Sequence, residues 1–278
     1  MNFVKMHGLG NDYIYVDLMK EHVEDPVNLA RKVSDRHFGV GSDGLILIDK
    51  SIVADFRMDI YNADGSRAEM CGNGIRCVGK YLYDKGYAKR KNIKIETLAG
   101  IKELELIIED GVCTGARVDI GEPELNVRKI PVIWNDDTII DQEILVGGKP
   151  YGVTCVSMGN PHCVVFVDDV ENITLEAIGP LFENHHLFPA RINTEFAKVL
   201  DRKTIRMRVW ERGSGETFAC GTGASATVVA GVLNGLCDRE ATVILNGGEL
   251  KILWDEASNR VYMEGPAVTI CEGKYFLD

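Results

Sequence analysis

Met70-Cys71-Gly72-Asn73-Gly74 and Ala219-Cys220-Gly221-Thr222-Gly223 are one short motif written twice, 220 − 71 = 149 residues apart. Each is followed by an apolar-patterned segment, Ile75 to Asp84 in one case and Ala224 to Leu233 in the other. Each segment stops near a glycine, Gly86 or Gly235, suited to closing a helix. Two further landmarks keep the spacing. Asn62, ending the run Met58 to Tyr61, matches Glu211 after Met207 to Trp210 (211 − 62 = 149), and Gly10-Asn11 matches Gly159-Asn160 (160 − 11 = 149). Coincidence among 29 glycines does not explain why the matches fall at the ends of apolar runs, so the chain reads as a duplicated unit.

Between these landmarks strand-like runs dominate: Tyr13 to Val16, Leu45 to Ile48, Met58 to Tyr61, Leu104 to Ile108, Val164 to Val167, Thr204 to Trp210, Ala241 to Leu245 and Val261 to Met263. Arg31 to Val33 lies in a shorter third helical candidate. The pattern predicts two similar α+β halves, each a mixed sheet packed on one principal helix, and lacks the strand–helix alternation of a doubly wound sheet. His7-Gly8-Leu9-Gly10-Asn11 invites comparison with a dinucleotide loop, but the third glycine, a preceding strand and a following helix are all missing from the reading.

Composition narrows the function. At 278 residues, 45% hydrophobic and 26% charged, the chain supports one large or two modest cores. The formal charge of −11 and the absence of any basic block longer than Lys89 to Lys91 argue against a nucleic-acid partner. Met1 to Gly10 has no apolar core behind a basic start, and no stretch approaches the ~20 apolar residues of a membrane span, so a cytoplasmic protein is expected. Eight cysteines without a CxxC pair suggest neither a disulfide framework nor a zinc site.

Cys71 and Cys220 differ from the other six in context. A cysteine just before a glycine-rich helix start meets unpaired backbone N–H groups and the positive end of the helix dipole, which stabilise a thiolate. The reference thiol value of ~8.5 falls at such positions, although a deeply apolar site pushes the other way. The same N–H groups of Gly72, Asn73, Gly74, Gly221, Thr222 and Gly223 suit a bound carboxylate and the enolate-like charge of a deprotonated α-carbon. Inverting a stereocentre needs one group to take a proton from one face and another to deliver one to the opposite face, and a duplicated thiol supplies the pair. Cys77, Cys113, Cys155, Cys163, Cys237 and Cys271 read as small buried hydrophobes. His162 and Glu211 are candidates to tune or relay the thiol protons. Asn11, Asn62, Asn73, Asn160 and Asn193 form a candidate polar cage for ammonium and carboxylate, turn-forming asparagine being the alternative. Asn193 falls 193 − 44 = 149 after Gly44. Arg212, just after a strand, is placed to grip a carboxylate at two points, unless it pairs with Glu211.

Lys5-Met6-His7-Gly8-Leu9-Gly10-Asn11-Asp12, Asn62-Ala63-Asp64-Gly65-Ser66, Cys71-Gly72-Asn73-Gly74, Ser157-Met158-Gly159-Asn160-Pro161-His162 and Glu211-Arg212-Gly213 through Gly223 follow one another in the order and spacing of the diaminopimelate epimerase family, which the chain resembles nearly end to end. The resemblance implies two pseudo-symmetric domains, each a curved mixed sheet wrapped around a central helix, with a cleft site that closes on substrate. The implied boundaries are residues 1–118 with a returning segment 265–278, and residues 119–264. It implies interconversion of LL- and meso-2,6-diaminopimelate in lysine biosynthesis, with no pyridoxal phosphate, other cofactor or metal. Carried over by motif, Cys71 and Cys220 exchange base and acid roles and His162 and Glu211 modulate them. Asn11, Asn62, Gly72, Asn73, Asn160, Asn193, Glu211, Arg212, Gly221 and Thr222 contact the substrate on the same basis. Many family members carry Gln where this chain has Gly44, so backbone or water must replace that contact here. A homodimer is also implied, although a tyrosine tied to that contact aligns with Cys271.

Three rival readings share parts of this pattern. A proline-racemase relative would use the same two thiols without a second carboxylate anchor, which makes Arg212 the discriminator. A thiol-redox protein would toggle Cys71 and Cys220 to a disulfide, and a noncatalytic amino-acid binder would tolerate Cys→Ser at both.

Overall fold

The structure is a computed structural model and describes residues 1–277. It divides into two compact units, Met1–Asp119 with the segment from Glu264, and Ile120–Met263.

In the first unit β1 (Asn2–Gly8) and β2 (Asn11–Asp17) make an antiparallel hairpin, and α1 (Pro26–Ser34) leads to β3 (Gly44–Lys50), parallel to β2. Asp25 starts α1 by accepting from the Asn28 N–H, with Pro26 in the first turn where no N–H is missed. β4 (Phe56–Asn62) runs antiparallel to β3, and the two-residue β5 (Arg67–Ala68) folds back on it. After α2 (Gly72–Asp84), β6 (Asn92–Thr97) joins β4 in parallel, followed by β7 (Gly100–Glu109) and β8 (Val112–Gly121).

The second unit repeats this plan with β9 (Gln142–Val146), β10 (Lys149–Ser157), β11 (Pro161–Phe166), α3 (Leu175–Glu183), β12 (Asn193–Asp201), β13 (Thr204–Glu211), β14 (Gly215–Glu216), α4 (Gly221–Leu233), β15 (Glu240–Leu245), β16 (Gly248–Trp254) and β17 (Val261–Pro266). A last strand, β18 (Val268–Lys274), returns to the first unit and lies antiparallel to β1.

The repeat holds residue by residue. Tyr13 lies opposite Gly44 and Leu45 opposite Tyr61 in the first unit; His162 lies opposite Asn193 and Thr194 opposite Trp210 in the second, each displaced by 149 (162 − 13, 193 − 44, 194 − 45, 210 − 61). The helices keep the same interval, 175 − 26 = 149 for α1 and α3 and 221 − 72 = 149 for α2 and α4. Beyond α4 the interval drops to 240 − 92 = 148, so one residue is missing from the connection to β15.

Both central helices are surrounded by their own unit. α2 buries Ile75, Cys77, Val78 and Leu82, and α4 buries Ala224, Ala226, Val228, Val229 and Ala230. α4, apolar on nearly every side, is stable only when enclosed, and α2 is enclosed with Arg76 and Lys80 buried and hydrogen-bonded within its own unit. This is the expected α+β architecture.

Three expectations need correction. β1 does precede the His7-Gly8-Leu9-Gly10-Asn11 stretch, whose Leu9-Gly10 turn takes positive φ (57° and 85°) to join a hairpin and leads to no helix. α3 was not foreseen, because Gly179 and Pro180 interrupt its pattern; yet a Cβ at residue 179 would stand 2.2 Å from the Trp210 ring, so tertiary packing demands the glycine. Cys271 is exposed on β18, while Cys77, Cys113, Cys155, Cys163 and Cys237 are buried, and all eight thiols are free. Among the described residues no helix is long and apolar enough to cross a membrane.

Candidate active site

Cys71 and Cys220 each occupy the residue just before a thirteen-residue helix, in extended conformation (φ −137°, ψ 114° and φ −118°, ψ 108°). Each sulfur caps the first turn: the Gly74 N–H reaches Cys71 Sγ at 3.3 Å and the Gly223 N–H reaches Cys220 Sγ at 3.4 Å. A Cβ three residues after either cysteine would crowd a neighbouring side chain. A Cβ at 74 would lie 2.7 Å from Ile46 Cδ1, and one at 223 would lie 2.6 Å from Glu195 Oε1.

The surroundings of the two sulfurs differ. The Cys71 thiol donates to Asn11 Oδ1 at 3.3 Å, and Asn11 Nδ2 donates to Asp43 at 2.8 Å. The buried Tyr13 phenol is also a hydrogen-bond neighbour of Cys71. Arg76, fully buried on α2, donates to Gly72 O and Asn73 Oδ1, both at 3.0 Å, and to Pro266 O at 3.1 Å. Around Cys220 stand carboxylates. Glu211 accepts from the Thr217 hydroxyl and is a charged neighbour of the Cys220 thiol. His162 and Glu195, both 0% exposed, share a 2.7 Å contact between Nδ1 and Oε1, while Nε2 meets Asn160 Oδ1 at 3.0 Å. Donor atoms of His162, Glu195 and Cys220 lie within 4.8 Å of one another.

At both thiols burial opposes the pull of the helix start, the direction expected of a deeply apolar site. It pushes Cys71 above its ordinary value against the opposing pull of the Gly74 and Asn73 N–H groups, Arg76 and Tyr13. Burial pushes Cys220 well above it, and the neighbouring Glu211 and Glu195 carboxylates add to the rise, outweighing Thr222 and the Gly223 N–H. Glu211 is itself raised, chiefly by burial, with the Thr217 hydrogen bond and His162 pulling it back.

The remaining expected residues are placed as follows. Asn62 donates to Ser66 Oγ at 3.0 Å. Asn193 spends both ends of its amide on backbone, donating to Pro161 O and accepting from the Arg212 N–H, each at 2.9 Å. It therefore braces the Arg212 turn. The Arg212 guanidinium donates to Ala190 O at 2.9 Å and has no carboxylate partner among the described residues, so it does not pair with Glu211. The N–H groups of Gly72, Gly221 and Thr222 have no hydrogen-bond acceptor among the described residues. Gly44 admits no side chain: a Cβ there would lie 2.3 Å from Tyr61 O and 2.8 Å from Tyr13 Cε1. On this backbone the departure from glutamine removes no contact that residue 44 could make.

Tyr13, Arg76, Glu195 and Thr217 were not anticipated. The interval of 149 could have found Glu195, since 195 − 149 = 46 sets a carboxylate against Ile46 of the first unit.

Known proteins resemble the chain along most of its length. The family model described as diaminopimelate epimerase matches residues 3–126 and 154–270. A diaminopimelate epimerase of Acetivibrio thermocellus is 57% identical over 278 residues, spanning 100% of this chain and 99% of that protein. One of Methanococcus maripaludis is 55% identical over 274 residues, spanning 99% of each. Among solved structures, a phenazine biosynthesis protein of the PhzF family from Bacillus anthracis shares the fold with a TM-score of 0.70 at 18% identity, covering 100% of this chain and 99% of that one. A hydroxyproline epimerase from Agrobacterium vitis does so with a TM-score of 0.66 at 14% identity, covering 98% and 90%. With the family model matched across most of its length and full-length relatives above half identity, the chain belongs to the diaminopimelate epimerase family.

Proposed function

We propose that the chain interconverts LL- and meso-2,6-diaminopimelate in lysine biosynthesis, with Cys71 and Cys220 as the two proton-transfer groups. The observation that carries this reading is the matched capping geometry: two sulfurs, 149 residues apart, each held by the N–H of a glycine at a helix start. One thiolate removes the α-proton while the other thiol protonates the opposite face, and the roles exchange when the reaction reverses. The N–H groups of Gly72, Gly221 and Thr222 stabilise the α-carboxylate and the charge that builds up as the proton leaves. Arg212 binds the distal carboxylate, its guanidinium being engaged so far only by Ala190 O. Asn11, Asn62, Asn73 and Asn160 orient the amino and carboxylate groups, His162 and Glu211 set the protonation of Cys220, and Asn193 acts by bracing Arg212. No step in this scheme calls on a cofactor or a metal ion. We read the working form as a cytoplasmic homodimer, for which sedimentation of the purified protein is the check.

The test is incubation of the reduced protein with LL-diaminopimelate in deuterated water without added cofactor, following α-deuterium incorporation and meso product. Exchange and inversion are expected in the wild type and lost in Cys71→Ala and Cys220→Ala. Absence of exchange in the wild type would reject this substrate, and full activity in either variant would reject the two-thiol scheme.

A further inference from the structure

The two halves superpose their strand registers but not their charges. At three equivalent places the first unit holds Ile46, Asn62 and Arg76 where the second holds Glu195, Glu211 and Ser225, each pair 149 apart (195 − 46, 211 − 62, 225 − 76). Arg76 is a fully buried cation whose guanidinium bonds to Gly72 and Asn73, the two residues after Cys71. The other titratable groups around Cys71 are Tyr13, Tyr15 and Cys77, with the Asp43 carboxylate one hydrogen bond further out, behind Asn11. Cys220 faces Glu211 from β13, Glu195 from β12 and His162 from β11, with Thr222 on its own helix. Glu195 is 0% exposed. Its Oε1 is held by His162 at 2.7 Å, and its Oε2 has no hydrogen-bond partner among the described residues. A buried carboxylate with a bare oxygen is destabilising by itself, where the isoleucine of the first unit would pack without penalty. Its position beside the Cys220 sulfur, against the same glycine, gives it a use.

We propose that Cys71 ionises before Cys220, so that the singly ionised enzyme holds its thiolate at Cys71 and its thiol at Cys220, and that Glu195 is the positioning residue that imposes this polarity from the second half. The inference rests on the two-thiol reading above and adds a direction to it. A sulfur facing two carboxylates keeps its proton, and a sulfur beside a buried guanidinium gives its proton up first. The same shift that keeps Cys220 protonated also makes it the stronger base once it has delivered its proton, so the reverse reaction has its base ready.

The test is the pH dependence of iodoacetamide alkylation, read separately at each cysteine by peptide mass spectrometry across about pH 6 to 11, where thiols titrate. Midpoints are compared rather than rates, so accessibility cancels. In the wild type the Cys71 midpoint is expected below that of Cys220. In Glu195→Gln the Cys220 midpoint is expected to fall, so that Cys220 reacts roughly tenfold faster at a fixed pH below both midpoints, for a displacement of about one pH unit. The Cys71 midpoint stays in place. Glu195→Ile, which installs the first-unit side chain, is the second variant should Glu195→Gln fold poorly. A wild-type Cys220 midpoint at or below that of Cys71 overturns the polarity. A Cys220 midpoint that does not move in a folded Glu195 variant overturns the part assigned to Glu195. Cys71→Ser and Cys220→Ser, assayed for inversion alongside, separate the two levels: retained inversion defeats the two-thiol reading, whereas the alkylation midpoints answer for the polarity alone.

Discussion

Alanine at residue 223 and alanine at residue 74 are the same substitution at equivalent places, yet the neighbours make them different experiments. At 74 the added methyl meets Ile46 Cδ1 at 2.7 Å, the end of a side chain that can rotate away, with Cys71 Cβ and Sγ no nearer than 3.5 Å. That displacement costs about 0.5 to 1.5 kcal/mol, offset by up to about 1 kcal/mol of helix propensity. Gly74→Ala is expected within about 1 kcal/mol of wild type. At 223 the methyl meets Glu195 Oε1 at 2.6 Å and Cys220 Sγ at 3.2 Å. The carboxylate cannot retreat without leaving His162, so a charge-assisted bond worth about 1.5 to 3 kcal/mol is strained on top of about 1 to 3 kcal/mol of overpacking. With the propensity gain subtracted, Gly223→Ala is expected to lose about 2 to 4 kcal/mol, or roughly 5 to 15 °C in Tm. Urea unfolding of the three proteins side by side, at matched slopes, measures the difference. Equal losses at the two positions would refute the claim that the buried Glu195–His162 contact fixes the start of α4.

Three further outcomes follow from the same geometry. Arg212→Ala should raise KM for diaminopimelate by at least about tenfold, the loss of one charge-assisted carboxylate contact, and steady-state kinetics with a monocarboxylate amino acid as control checks that the loss is selective. Thr217→Val removes the hydroxyl that holds Glu211 down, so Glu211 rises further and the acid limb of the kcat profile should move to higher pH. Burial pushes the Cys77 and Cys237 thiols from 9.0 up to about 11. Because the folded values lie above the unfolded one, this stability is complete below pH 9.0 and is lost as pH rises through about 11. Each thiol then contributes up to about 3 kcal/mol, and Cys77→Ala should flatten the fall of the urea midpoint over that window.

The duplicated motif was legible because its signals are local and repeated: a cysteine before two glycines, an apolar run ending in Asn62 or Glu211, a closing glycine with positive φ at 86 and 235. The strands that escaped notice carry contrary local signals. β10 contains Pro150 and Gly152, β1 ends in the glycines of an apparent ligand loop, and α3 contains Pro180. Their partners, distant in sequence, decide their conformation. Of the site, the side chains with chemical reputations were legible and their environment was not. A helix start argues for a depressed thiol, but the carboxylates that join burial in opposing it at Cys220 come from β12 and β13, whose placement no spacing within the Cys220 motif reveals. Glu195 lay hidden for the same reason, its burial being set by partners distant in sequence.

β1 is hydrogen-bonded on one side to β2 and on the other to β18, whose first residue follows the end of β1 by 268 − 8 = 260 positions. During synthesis at roughly 5 to 20 residues per second, the ribosome releases β1 and β2 many seconds before the strand that covers the outer edge of β1. β1 is thus completed long after it is made, and for that interval it presents an open edge that could recruit a strand from a neighbouring nascent chain. Loss of Val268–Lys274 by a late frameshift would wound the beginning of the fold, leaving the more recently made second unit with its own strands paired.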